Sequence, residues 1–349
     1  MFGLSRALPS PTTALNGALR AGIARKRSLA ALTLAAASSS LGLVALATPA
    51  SAGFVTFCEG SGGAVTVPGE LRVASGKSCV LDGTRVTGSV TVEPGANLVV
   101  TGGTFDGGVA VQDDGFFDAQ ATKIAGDVVL TDAYGTFLSG GPVGGNVKVS
   151  AAAHPERSTY AFLSGAEVTG DVTSTVGEVY AENSEFAKSV TGTGVSYLDL
   201  TNVVVGANLN VSGATLGSVF CGGEVYGNAT YTGNSHTLQI GADGPVIGCT
   251  QASYWGGDVT ISDNTADVRV SNNIIRGNLA GTGNSPAPTG ADNRVRGTVS
   301  GQFENMSAAA SGFAARSAAV SPEAEAQAKV DQRRSAAENA AAVAGPAQL

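Results

Sequence analysis

A short motif, apolar-x-Gly-x-apolar, returns along this chain at a fixed interval, and that interval restricts the fold more than any other feature. It occurs as Val67-Pro-Gly69-Glu-Leu71-Arg-Val73 and again as Val86-Thr-Gly88-Ser-Val90-Thr-Val92. Phe105-Asp-Gly107-Gly-Val109, Ile124-Ala-Gly126-Asp-Val128 and Val143-Gly-Gly145-Asn-Val147 follow, so the central glycine steps by 19 residues from 69 to 145. Later copies centre on Gly170, Lys188, Ala207, Gly227, Gly257, Gly277 and Gly297, with polar insertions around Ala151–Ser158 and Gly241–Gln251. Val246-Ile-Gly248 reads as part of the second insertion. A fixed period of this length marks a solenoid. Alternating apolar residues over a short run make a strand with one buried face, and Gly and Asn at regular intervals supply turns. One such unit cannot bury its own apolar face, so it must stack on its neighbours.

The expected fold is therefore all-β: a single-stranded parallel β-helix of about twelve coils of 19–20 residues. At about 4.8 Å per coil the rod is roughly 55–60 Å long. Val86, Val90, Val92, Leu98 and Val100 are expected inside the bore. Coils of this length with insertions favour a right-handed helix over the stricter six-residue period of left-handed ones.

The N-terminus reads as an export signal. Arg25, Lys26 and Arg27 precede an apolar run from Leu29 to Leu46, and Ala50-Ser51-Ala52 gives small-x-small, placing cleavage at Ala52-Gly53. The expected organisation is a signal peptide over 1–52, a β-helix over 53–306 and an Ala-rich tail over 307–349. No other hydrophobic run is long enough to span a bilayer, so stable membrane insertion is not expected. Removing the signal takes away five basic residues (Arg6, Arg20, Arg25, Lys26 and Arg27) and no acidic one. The net charge thereby deepens from −8 to −13. Such acidity argues against nucleic acid or anionic lipid as partner.

Four cysteines remain after cleavage, an even number that suggests two disulfides in an exported protein. Cys58 and Cys79, and likewise Cys221 and Cys249, lie one coil apart at nearly the same phase of the repeat. Stacking brings such positions within disulfide reach, so the expected bonds are Cys58–Cys79 and Cys221–Cys249. Metal binding is disfavoured by the absence of Cys-x-x-Cys and by having only two histidines, His154 and His236. No cofactor is indicated.

The tail changes character. Ser321-Pro322-Glu323 reads as an N-cap, a proline at the first helical position and an early acid, and Gly345-Pro346 as a stop. The tail is either a single helix on a tether or disordered. Its apolar face is mostly Ala, which predicts weak docking.

Catalytic signatures are incomplete. Gln112-Asp113-Asp114 resembles the Gln-Asp-Asp element of polygalacturonases, whose paired carboxylates activate water and protonate the leaving oxygen. The Gly-His-Gly and Arg-Ile-Lys of that family are missing. Asp113 and Asp114 also fall where neighbouring coils place Glu93-Pro94 and Asp132-Ala133, which reads as a turn. His154 sits in one insertion, and Tyr254, beside a core Trp255, faces outward. These four residues are the weak surface-site candidates. Lys123 and Lys148 near Asp127 and Asp132 read as a solvated face. Asn202, Asn210, Asn272 and Asn273 read as stacked turn residues.

Val270-Ser-Asn-Asn-Ile-Ile-Arg-Gly-Asn-Leu279, with Gly283-Asn-Ser-Pro-Ala-Pro-Thr-Gly290 and Gly301-Gln302, resembles the closing segment of secreted actinobacterial repeat proteins without an assigned function. Those proteins often carry cysteines at positions that here are Gly281 and Phe303. The repeat rhythm is also similar to that of bactofilins, in geometry only, since bactofilins are cytosolic. The expected function is a secreted, non-enzymatic structural or adhesive solenoid. A carbohydrate-active enzyme or binding module of the pectin-lyase-like type is the alternative, and a filament-forming envelope protein a further one. The expected partners are extracellular polysaccharide or envelope components, with oligomerisation through the terminal coils left open.

Overall fold

The computed structural model describes residues 53–155, 159–242, 244–308 and 322–349. The export signal, Ala52 of the cleavage pair and Ser321 lie outside the described residues. Among these residues no helix is long and apolar enough to cross a membrane.

Each coil contributes one short strand to each of three parallel sheets. Sheet one has twelve strands, from Val55–Phe57 through Val90–Val92 to Leu279–Ala280. Sheet two has eleven, from Gly60–Gly62 through Asn97–Thr101 to Asp267–Ser271. Sheet three has twelve, from Thr66–Val67 through Arg85–Val86 to Arg294–Val295. The chain visits the sheets in that order on every turn, so each strand pairs with the one a coil earlier and the one a coil later. The expected solenoid of about twelve coils is present.

Alternation decides which side chains fill the bore. Val90, Val109, Val128 and Val147 stand in register on successive coils of sheet one, and Val86, Val90, Val92, Leu98 and Val100 are all buried. Phe105, Phe186, Phe220, Tyr231 and Trp255 fill wider parts of the same continuous core. Burial of each such side chain contributes about 1.5–3 kcal/mol, realised only when the next coil is in place.

The register glycines have a different job from the one their spacing suggests. Gly88, Gly107, Gly126 and Gly145 sit at the corner between sheets three and one. A Cβ on Gly88 would lie 2.5 Å from the carbonyl oxygen of Gly69, and one on Gly107 would lie 2.6 Å from that of Gly88. They are required by backbone stacked on backbone. Apart from Gly69, at φ 79°, the left-handed turns belong to other columns, where Asp114, Asp132, Asn183 and Asn202 adopt φ between 49° and 53° beside glycines such as Gly95 and Gly140.

The tail departs from the expectation of weak docking. Pro322–Ala344 forms an α-helix, α1, which packs along strands of sheet two. Ala326, Val330, Ala337 and Ala341 are buried against it. Gly345, at φ 86°, ends the helix, and its N–H bonds the Ala341 carbonyl at 3.1 Å. The last residues then add to the first coil: Ser61 donates to the Gly345 carbonyl at 2.9 Å, and Ala347 donates to the Ser61 carbonyl at 2.8 Å. Leu349 packs on the core beneath. At the other end, a 3-10 turn at Gly301–Phe303 buries Phe303 in the last coil. The helix face alone gives little sign of this docking. The aromatic surface that receives α1 becomes visible only when distant coils are stacked.

Candidate functional site

The sequence-predicted residues fall in two separate places. Asp113 and Asp114 occupy the turn between Val109–Val111 and Phe116–Gln120, from sheet one to sheet two. Gly95 donates to the Asp113 carbonyl at 2.8 Å, and Asp114 donates to the Asp132 carbonyl at 3.0 Å. The three corners therefore stack, as the repeat register predicts. The Asp114 carboxylate lies 3.5 Å from Arg333 of α1, which also donates to the Asp114 carbonyl at 2.9 Å. Asp113 stands 4.0 Å from Nε2 of His154. The Asp-Asp pair thus serves the corner, the helix and the first insertion.

That insertion is held by a carboxylate whose place in the repeat marks it only as a turn residue. The Asp132 carboxylate accepts successive backbone N–H groups of Ala152, Ala153 and His154 at 2.9–3.1 Å. These hydrogen bonds hold its pKa below the usual carboxylate range, His154 first. The signal was present in the sequence as an acid at the same corner as Asp113, but its partners come from a loop whose path alternation does not encode.

The second insertion folds back over sheet two, onto Gln239. Gln239, fully buried, accepts from the N–H groups of Val246 and Ile247 at 3.0 and 3.1 Å and donates to the Ile247 carbonyl at 2.5 Å. The Cys221–Cys249 disulfide pins the same loop, with Cα atoms 5.6 Å apart. Cys58–Cys79 does the same at the first coil, also at 5.6 Å. Both bonds are the expected ones. A small hollow of about 190 Å³ remains between Thr201, Asn202, Cys221 and the loop at Ile247–Gln251.

Tyr254 lies on the outer face of sheet three, and Trp255 is buried. The Trp255 indole donates to Asn273 at 2.9 Å inside the coil. Tyr226, half-exposed, was not singled out from sequence; it meets Tyr254 edge-on, with ring centroids 6.2 Å apart. Glu224 pairs in register with Tyr254, and its hydrogen bond raises the pKa of Tyr226. This is a small aromatic–acid patch on sheet three, away from the corner between sheets one and two that carries His154 and Asp113.

The asparagines divide too. Asn202 and Asn272 adopt left-handed turns, and Asn202 donates to Asn183 at 2.6 Å, as stacked turn residues do. Asn273 is instead a buried residue of the strand Asn273–Ile275 and donates to Asn293 at 2.8 Å. A ladder unforeseen from sequence runs beside the core, with Asn234 donating to Asn264 and Asn264 to Asn284. Asn210 is not a turn residue; it points outward from the strand Leu209–Ser212.

Under α1 lies a third surface. Phe116, Tyr160, Phe162, Tyr180 and Tyr197 form an apolar strip on the outside of sheet two. Within it Asp118 is fully buried and accepts from Arg334. Burial raises the Asp118 pKa despite the Arg334 hydrogen bond and charge, which pull it down. Lys329 pairs with Glu178, and Arg333 donates to Asn97 at 2.7 Å and stacks 4.5 Å from the Tyr134 ring centroid.

No protein-family model, curated protein or solved structure matches this chain. Among the described residues no group of three or more His, Cys, Asp or Glu is placed to hold a metal ion.

Proposed function

We propose that this chain is a secreted, non-enzymatic structural or adhesive rod whose partners are extracellular polysaccharide or envelope components. The observation that carries the proposal is the chain's treatment of its own ends. The C-terminal residues pair with the strand at Gly60–Gly62, and the 3-10 turn seals the last coil with Phe303. These contacts cover the first edge of sheet two and bury Phe303 at the last coil, and a covered edge blunts the template for further strand pairing there. Two disulfides at loop-bearing positions suit an oxidising compartment, and the export signal read from sequence agrees with that. The acidic surface favours solubility and disfavours nucleic acid.

One observation favours the second reading, a carbohydrate-binding or carbohydrate-active protein: the Tyr226–Tyr254 pair beside Glu224. The exposed Phe54 and Phe57 at the first strand of sheet one favour a filament-forming envelope protein. The purified chain should be incubated with a panel of soluble and insoluble polysaccharides, measuring both retention and release of reducing ends. Retention without turnover is the expected outcome. Turnover lost on Tyr254→Ala or Glu224→Gln would overturn the non-enzymatic reading. Sedimentation that shows concentration-dependent polymers, abolished by Phe57→Asp, would establish the filament reading instead.

A further inference from the structure

The outer face of sheet one changes character along the rod. Its early rungs are mixed: the outward column reads Arg72, Thr91, Ala110, Val129 and Lys148, with Arg72 bonding Glu70 at 2.8 Å and Lys148 bonding Asp127 at 3.0 Å. From the rung after Lys148 onward the same column, in strict register, reads Thr173, Thr191, Asn210, Thr230 and Thr260. A parallel column two residues further along each strand reads Thr193, Ser212, Thr232 and Ser262. Neither column carries a charged or aromatic side chain, and all nine side chains are half-exposed or exposed. The hydroxyls also touch along the rod: Ser212 Oγ donates to Thr193 Oγ1 at 3.3 Å, and one corner further on Ser235 and Thr265 hydroxyls lie 3.0 Å apart.

Strand propensity alone does not account for this. Threonine is a good strand former, but sheet three, built by the same coils, places Glu185, Val204, Glu224 and Tyr254 in its outward column. The neutral grid, eight hydroxyls and the Asn210 amide, belongs to this face and not to sheet three. Its geometry is that of a lattice. Rungs repeat at about 4.8 Å, and side chains two apart on a strand are about 6.7 Å apart. Each Thr presents a hydroxyl that both donates and accepts, and each is stiff at χ1, so little freedom is lost when the array meets an ordered surface.

We propose that this face of sheet one binds ice. The two repeat distances lie close to those between oxygens on the prism faces of hexagonal ice. Waters bridged by successive hydroxyls would continue that lattice, with the threonine methyl groups seated between them. The absence of aromatic rings and charge from the grid favours a water lattice over a polysaccharide, whose sugar rings are held by stacking and by charged hydrogen-bond partners. The inference does not depend on the rod being adhesive or on the choice of partner made above.

The test is thermal hysteresis and ice recrystallisation measured on the purified chain, beside Thr191→Tyr and Thr230→Tyr, which place a ring in the middle of the grid. Thr104→Tyr on the outside of sheet three is the control, and circular dichroism checks that each variant folds. Faceted ice crystals and slowed recrystallisation are expected for the parent and the control, with loss in both grid variants. A parent with no effect on ice growth overturns the proposal. So does an effect that survives both grid substitutions. Retention on crystalline cellulose or chitin that the grid variants lose, without any ice effect, would assign the face to a polysaccharide instead.

Discussion

Gly107 and Asp132 show what single positions do here. Gly107 lies so close to the preceding coil that a methyl group would sit 2.6 Å from the Gly88 carbonyl oxygen. The backbone of two coils would have to part, so Gly107→Ala is expected to cost about 1–3 kcal/mol. Gly76, by contrast, has open space where a methyl group would go, with nothing within 4 Å, and its cost comes from its φ of 69° alone. Chemical denaturation of Gly107→Ala and Gly76→Ala against the parent measures the difference. Asp132 is a matter of charge. Its pKa is lowered in the folded chain, so its contribution is fully present above the unfolded value near ~4 and is lost as pH falls below it. Protection of the Ala152–His154 amides against hydrogen exchange, taken relative to their intrinsic rates, should therefore fall in acid below about pH 4. Asp132→Ala should produce the same loss of protection at neutral pH, with the remainder of the rod unchanged.

At the scale of elements, α1 is the least predictable part and the easiest to perturb. Its buried side chains are three alanines and one valine, too little apolar surface to hold a helix by itself. Charge and shape on the receiving strip supply the remainder. Removing one partner of the Asp118–Arg334 pair leaves the other buried and unmatched. Arg334→Leu should thus weaken docking by about 3 kcal/mol. Replacing both, with Asp118→Leu and Arg334→Leu, should restore docking or strengthen it. The sign of the pH effect at Asp118 is opposite to that at Asp132. Its raised pKa favours the folded form in acid, and that contribution fades as pH rises through the folded value. Protease susceptibility of α1 in the parent, the single variant and the double variant reads the outcome.

For the molecule as a whole, the two ends of the chain are one structural problem. Cutting the chain after Met306 removes α1 and the strand-like pairing of Ala347 on Ser61, and bares both the aromatic strip and the first edge of sheet two. The expected result is a shift to larger species in size-exclusion chromatography relative to the full chain. An unchanged monomer would count against the tail as a cap. The disulfides act at the same scale. Cys58 and Cys79 are 21 residues apart and close the first coil. Losing that link through Cys79→Ser with Cys58→Ser should cost about 3 kcal/mol. Losing Cys221–Cys249 should chiefly release the second insertion, because Gln239 and the neighbouring coils hold the sheets without it. Intact mass before and after reduction should differ by four hydrogens, two for each bond.

Much of this was legible in the order of residues. Val, Gly and a 19-residue step fix a stack of coils, since period and alternation are local properties of the chain. The same register placed each cysteine opposite its partner and put Asp113 and Asp114 in a corner between sheets one and two. What the sequence could not convey lies between residues far apart along it. Phe116, Tyr160 and Tyr180 read as unrelated outward side chains until stacking sets them side by side. Only then does an alanine-rich helix have a surface to dock on, and only then do scattered threonines become a grid. Period determines which residues align; the tertiary structure decides what the aligned faces meet, because burial, charge pairing and surface order are properties of neighbours in space.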